Sequence, residues 1–220
     1  MMKIFYLNCK IIIQIFFVII FLSTSPVKSL DKFDKADKVS SYFLGILLLN
    51  DSQYKDSQKY LNKLNGLENS HFNYSTRYLY SLINSGNFKE AFNYSKILEK
   101  KNLDSFESHL ITGIFYLKNS KIEIAKKYFL KAKNKNPTSV LNSYVSNSLY
   151  NWSNLSNLEQ ATLDLNKLDE RFKNLKKIQN VFLNCHFDSP NTNNFFTEIT
   201  SSQEIDFSRY NYFHASFAVS

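Results

Sequence analysis

Glycine and proline are nearly missing from this chain: 220 residues hold four of the first and three of the second. A fold rich in β-turns, or a nucleotide site cradled by a glycine loop, needs more of both. Long helices joined by polar turns do not. Arginine is as scarce, standing only at Arg77, Arg171 and Arg209, so a formal net charge of +8 rests almost wholly on lysine. Nucleic-acid recognition leans on the arginine fork, and no basic cluster interleaved with aromatics occurs. No nucleic-acid partner is expected. The surplus of Lys, Asn, Ile, Phe and Tyr follows A/T-rich codons and reads as genomic bias. Without residues 1–29, which carry Lys3, Lys10 and Lys28 and no acid, the net charge falls to +5.

Catalytic patterns are also missing. There is no HExxH, P-loop, GxSxG or dinucleotide fingerprint, and His71, His109, His186 and His214 have no second ligand at metal spacing. Neither metal nor cofactor is expected. Cys185-His186 with Asp188 is the nearest approach to a nucleophile and base, but neighbours on a helix point in different directions. The chain reads as a non-enzyme. Paired charges at Asp169-Glu170, Lys126-Lys127 and Lys176-Lys177 read as solvated helix faces.

What is present begins with a leader. Residues 1–22 combine a basic start at Lys3 and Lys10 with the apolar run IIIQIFFVIIFL over 11–22. Twelve residues fall short of the about 20 that span a bilayer and fit a secretory h-region of about 7 to 15. Pro26 follows, then Val27 and Ser29 at the small-residue positions of a cleavage site, so cleavage after Ser29 and a periplasmic or secreted location are expected. An uncleaved inner-membrane anchor is the alternative, and the only membrane contact foreseen. Cys9 precedes the h-region and so is no lipid-attachment site. After cleavage Cys185 stands alone, and a small buried role fits it.

The strongest signal is a repeat. Aligning YFLGILLL, RYLYSLIN and LITGIFYL superimposes Gly45, Leu79 and Gly113, each 34 residues from the next. Ser57, Ala91 and Ala125 keep the same step, as do Ser52, Gly86 and Ser120 at the expected turns, and Tyr54, Phe88 and Ile122 beyond them. So do Leu64, Leu98 and Ala132. The third unit closes on Pro137. Small residues at two places let antiparallel helices touch backbone to backbone, while large neighbours interlock. Asp104 to Glu107, Ser120 to Glu123 and Asn87 to Glu90 each have capping-box spacing.

At these residues the chain resembles the tetratricopeptide repeat family. That unit has a small residue eighth, an aromatic eleventh, Gly fifteenth, Ala twentieth and Pro thirty-second. The third unit matches with Gly113, Tyr116, Ala125, Ala132 and Pro137. The second departs with bulky Leu79, and the first carries Ser57 for Ala. The resemblance implies an all-α fold, a right-handed α-solenoid of antiparallel helix hairpins, with units at 38–71, 72–105 and 106–139.

In that family peptides lie in a groove lined by places two, five, nine and twelve of the first helices. These map here to Val39, Tyr42, Ile46 and Leu49, to Asn73, Thr76, Tyr80 and Ile83, and to Glu107, Leu110, Ile114 and Leu117. An apolar groove implies an apolar helix or segment of a protein as partner, or burial by neighbouring repeats. The carboxylate clamp of chaperone-binding members wants Lys and Asn where Tyr42, Ile46, Thr76, Tyr80, Leu110 and Ile114 stand, so an acidic tail is not the expected ligand.

Beyond Pro137 the register loosens over 138–220. Helices are expected at 139–152 and 157–168, where Ala161 falls two residues late, with Trp152 and Tyr150 in the seam between repeats. Another is expected from Asp169 to about Cys185. Ser189-Pro190 reads as an N-cap and first helical residue opening a helix to Thr200. Residues 207–220 resemble the first helix of a further hairpin, which suggests a truncated longer protein. The function expected is a non-catalytic, protein-binding scaffold of the bacterial cell envelope. The alternative is the interaction region of a longer enzyme or of a membrane-anchored assembly factor.

Overall fold

The computed structural model describes residues 27–219 except 136, 203–205 and 207. Most of the expected leader, Cys9 included, lies outside the described residues, while Val27 and Ser29 fall in the first helix. All regular structure among the described residues is helical. The chain divides into two compact units between Leu67 and Glu68. The first holds α1 (Val27–Asn50) and α2 (Tyr54–Asn62). The second holds α3 (Phe72–Asn84), α4 (Phe88–Lys100), α5 (Phe106–Lys118), α6 (Ile122–Lys135), α7 (Val140–Trp152), α8 (Leu158–Asn166), α9 (Lys173–His186), α10 (Thr192–Thr200) and α11 (Asn211–Ala218). Short 3-10 turns at Glu170–Phe172 and Ser208–Tyr210 lead into α9 and α11.

Packing is sequential. In the first unit α1 lies on α2; in the second each helix from α3 onward packs on its successor, and α3 also touches α5. Tyr54, Phe88 and Ile122 open α2, α4 and α6, spaced by 34 residues.

The turns that reverse the chain ahead of these three helices share one backbone conformation. Ser52, Gly86 and Ser120 all lie in the left-handed region, at φ of 60°, 83° and 58°. In each case the next N–H bonds a carbonyl five residues back: Gln53 to Leu48 at 2.8 Å, Asn87 to Leu82 at 2.8 Å, and Lys121 to Tyr116 at 2.9 Å. This six-to-one bond satisfies a carbonyl that the helix end would otherwise leave open. Ser120 therefore terminates α5 instead of capping α6, which corrects the capping box read at 120–123. Asn87 precedes α4 without a side-chain cap bond, so the box at 87–90 is not formed either. A third correction falls at α5, whose N-cap is Ser105 and not Asp104. Ser105 Oγ accepts from the Ser108 N–H at 3.3 Å, and Ser108 Oγ accepts from the Ser105 N–H at 2.8 Å.

Helix contacts follow the small residues. A Cβ on Gly45 would lie 2.8 Å from Leu61 Cδ2, and one on Gly113 would lie 2.5 Å from Phe129 Cε1. Ser57, in place of Ala, donates its hydroxyl to the Gly45 carbonyl at 2.8 Å, so a polar atom is buried at this contact with its bond made. Leu79 breaks the small-residue column, yet it is 1% exposed. The position that is Leu61 and Phe129 in the neighbouring hairpins is Ser95 in α4, also 1% exposed. The large residue of the second hairpin thus stands in the first helix and the small one in the second, both buried. Leu64, Ala91, Leu98, Ala125 and Ala132 are all buried, while Pro137 is exposed.

The C-terminal helices form two apolar clusters. Tyr144, Ala161, Leu165, Leu168 and Leu183 centre the first, with Trp152 against it, and Val181, Phe196 and Ile199 centre the second. Gln179 joins α9 to α7, accepting from Trp152 Nε1 at 3.2 Å and donating to the Tyr144 hydroxyl at 2.7 Å. Lys176 is buried, not solvated as its pairing with Lys177 suggested. Its ammonium donates to the carbonyls of Asn166 and Leu168, both at 3.2 Å, and to Glu170, closing the α8–α9 connection. The helix expected to start at Pro190 starts at Thr192, because the Ser189 carbonyl is taken in a turn by the Thr192 N–H and hydroxyl.

Candidate functional site

The α5 sequence places Glu107, Leu110, Ile111, Ile114, Phe115 and Lys118 at steps of one, three and four, hence on one face of the helix. That face meets Ile83 at the end of α3 and Phe88 at the start of α4, and together they line an almost wholly apolar cavity of about 400 Å³. Its floor is fixed by ring stacking: Phe115 lies parallel to Phe92 of α4 with centroids 3.9 Å apart. Ile114 remains 43% exposed and Phe88 51% exposed, so the cavity opens to solvent over apolar side chains.

A second, polar cleft of about 600 Å³ adjoins it. Glu68, Asn73, Ser75 and Thr76 lie on one side, Asp104, Phe106 and Glu107 on another, with Lys135 and Asn142 beyond. Glu107 lines both spaces. Most charge in the cleft is internally matched. Lys101 donates to the buried Glu68 at 2.6 Å. Asp104 accepts from Lys135 at 2.6 Å and from His109 Nε2 at 2.9 Å. Burial acts to raise the Asp104 pKa, but the Lys135 hydrogen bond and charge outweigh it and hold the carboxylate below its usual range. Burial also pushes His109 down, and Asp104 offsets this only in part. Glu107 differs: among the described residues it forms no ion pair.

The twelve residues expected to line a groove are dispersed, Asn73 and Glu107 among them lining the polar cleft. Ile83, Leu110 and Ile114 come together in the apolar cavity, and Thr76 lies in the polar cleft. Tyr80 is half exposed on α3 and Leu117 half-buried on α5, outside both linings. Val39, Tyr42, Ile46 and Leu49 belong to α1 in the other compact unit, where Val39 is 55% exposed and Leu49 is 3% exposed. Leu49 is core. Phe88, Ile111 and Phe115 complete the cavity without having been singled out for it; the apolar run of α5 signalled the last two.

A separate polar cluster ties α4 to α6. Glu99 accepts from Lys131 at 2.6 Å, from the Tyr128 hydroxyl at 2.8 Å and from Lys96. Both ammonium groups also lie about 5 Å from the Tyr128 ring centroid. Burial would raise the Glu99 pKa, but these hydrogen bonds prevail and hold it at about 2.

Among the described residues no group of three His, Cys, Asp or Glu could hold a metal ion. Cys185 is a free, partly buried thiol, and the His186 ring stands edge-on to Phe187 at 4.9 Å. No helix among the described residues is long and apolar enough to cross a membrane. No family model, curated protein or solved structure matches the chain.

Proposed function

We propose that this chain is a non-catalytic, protein-binding scaffold of the tetratricopeptide type, exported to the bacterial cell envelope, which holds an apolar helix or segment of another protein. The observation that carries this reading is the cavity between the α3–α4 turn and α5. It is apolar and open, four of its lining residues (Ile83, Glu107, Leu110 and Ile114) stand at places the resemblance maps to a peptide groove, and its size lies within the range of ligand pockets. Exposed apolar surface with a polar border is the usual mark of an interaction site. The leader pattern of residues 1–29 supports export.

Ile114→Glu tests the reading, because a carboxylate at the centre of the opening would face an apolar partner without a counter-charge. Ile114 is 43% exposed, so the variant is expected to fold, which circular dichroism checks. Pull-downs from envelope extract should then recover at least one protein with wild type and about tenfold less of it with the variant, a loss of about 1.4 kcal/mol. Equal recovery of every protein by both would remove the groove from the account.

A further inference from the structure

Building on the groove reading just proposed, the charges at the two ends of the cavity define what fits it. Glu107 stands in the first turn of α5 and Lys118 in the last, and both line the apolar cavity. Eleven residues of helix separate them by about 16 Å. Between lie Leu110, Ile111, Ile114 and Phe115, with Ile83 and Phe88 opposite. The trough therefore runs from a carboxylate, over apolar side chains, to an ammonium.

The other charges nearby do not neutralise this pattern. Glu68 is held by Lys101, and Asp104 by Lys135 and His109. Among the described residues neither Glu107 nor Lys118 forms an ion pair, unlike Lys126, Lys131 and Lys135 on the next helix. Each sits where the dipole of α5 favours its sign. Both are available to a ligand: Lys118 is exposed, and Glu107 is partly buried, where a charge-assisted bond is stronger than on open surface.

We propose that the trough recognises a short apolar peptide segment with a cationic residue at the Glu107 end and an anionic group at the Lys118 end. An extended strand covers that distance in about five residues. The charges fix direction and select among apolar sequences, while the cavity supplies burial. This also accounts for a carboxylate at the junction with the polar cleft, on a protein whose formal net charge is +8. A cationic ligand end would be repelled by the protein as a whole and needs a local acid.

A library of random eight-residue peptides displayed on phage, selected on the immobilised full chain, tests this. Wild type should enrich peptides with an apolar core, Lys or Arg on one flank and Asp or Glu on the other. Glu107→Lys should turn the first preference acidic, and a synthetic consensus peptide should bind Glu107→Gln about tenfold more weakly. Apolar peptides without a flanking charge preference, lost on Ile114→Glu, would overturn this inference and leave the groove standing. Peptides enriched equally on wild type and Ile114→Glu, or no enrichment on either, would overturn the groove as well.

Discussion

Gly113 and Phe129 face each other across α5 and α6 so closely that a Cβ on the glycine would lie 2.5 Å from Cε1 of the ring. The ring is fully buried. Replacing a helical glycine by alanine ordinarily stabilises by about 1 kcal/mol, so the sign of the effect reports which force wins. Gly113→Ala is expected to destabilise by about 1 to 3 kcal/mol, the cost of overpacking, in a urea titration. A gain would mean that the two helices do not meet here.

One hairpin earlier Leu79 stands in the glycine's column and Ser95 in the ring's, both 1% exposed, so the two are expected to meet with their sizes reversed. Ser95→Phe alone overpacks and Leu79→Gly alone leaves a cavity, each costing about 2 kcal/mol or more. Together they recreate the Gly113–Phe129 arrangement. A double-mutant cycle should show a favourable coupling of at least about 1 kcal/mol; additive losses would contradict the exchange of size.

The left-handed turn positions give a pair of opposite outcomes. Gly86 has φ of 83°, and a methyl group added to it would meet nothing within 4 Å, so Gly86→Ala probes backbone conformation alone and should cost about 1 to 2 kcal/mol. Ser120 already bears that strain at φ of 58°, and Ser120→Gly should recover about 0.5 to 1 kcal/mol. Melting temperatures that move in the same direction for both would refute the shared turn geometry.

Glu99 predicts an acid-dependent stability. Its folded pKa of about 2 lies below the ordinary carboxylate value of about 4.3. Its contribution is therefore complete above that ordinary value and is lost as pH falls through the range from about 4.3 to 2. Because Glu99 is partly exposed, Glu99→Gln should cost about 1 to 2 kcal/mol at pH 7. The difference from wild type should shrink steadily below pH 4. A constant difference down to pH 2 would show that Lys96, Lys131 and Tyr128 do not hold the charged form.

Helix positions and the close contacts were legible in the sequence because they repeat. A small residue every 34 positions is visible without coordinates, and Gly45, Ala91, Gly113 and Ala125 all turn out buried. What escaped depends on partners remote in sequence. Asp104 has the spacing of a cap, but Lys135, 31 residues on, and His109 engage its carboxylate, leaving Ser105 to cap α5. Lys176 looked solvated until the carbonyls at the end of α8 closed over it. Of the groove, the α5 face was readable from its period. Phe88 was not, since its role arises only when the start of α4 meets that face.

The α5 trough, and not apolar surface in general, is the proposed protein-binding surface. Ile114 and Ile97 allow a direct comparison, being 43% and 45% exposed, the first in the cavity and the second on α4 outside it. A photo-crosslinking amino acid placed at each position in turn, in the full chain expressed in living cells, should yield a discrete adduct from position 114 that is at least about tenfold weaker from position 97. Equal adducts from both positions, or one from position 97 alone, would contradict the account.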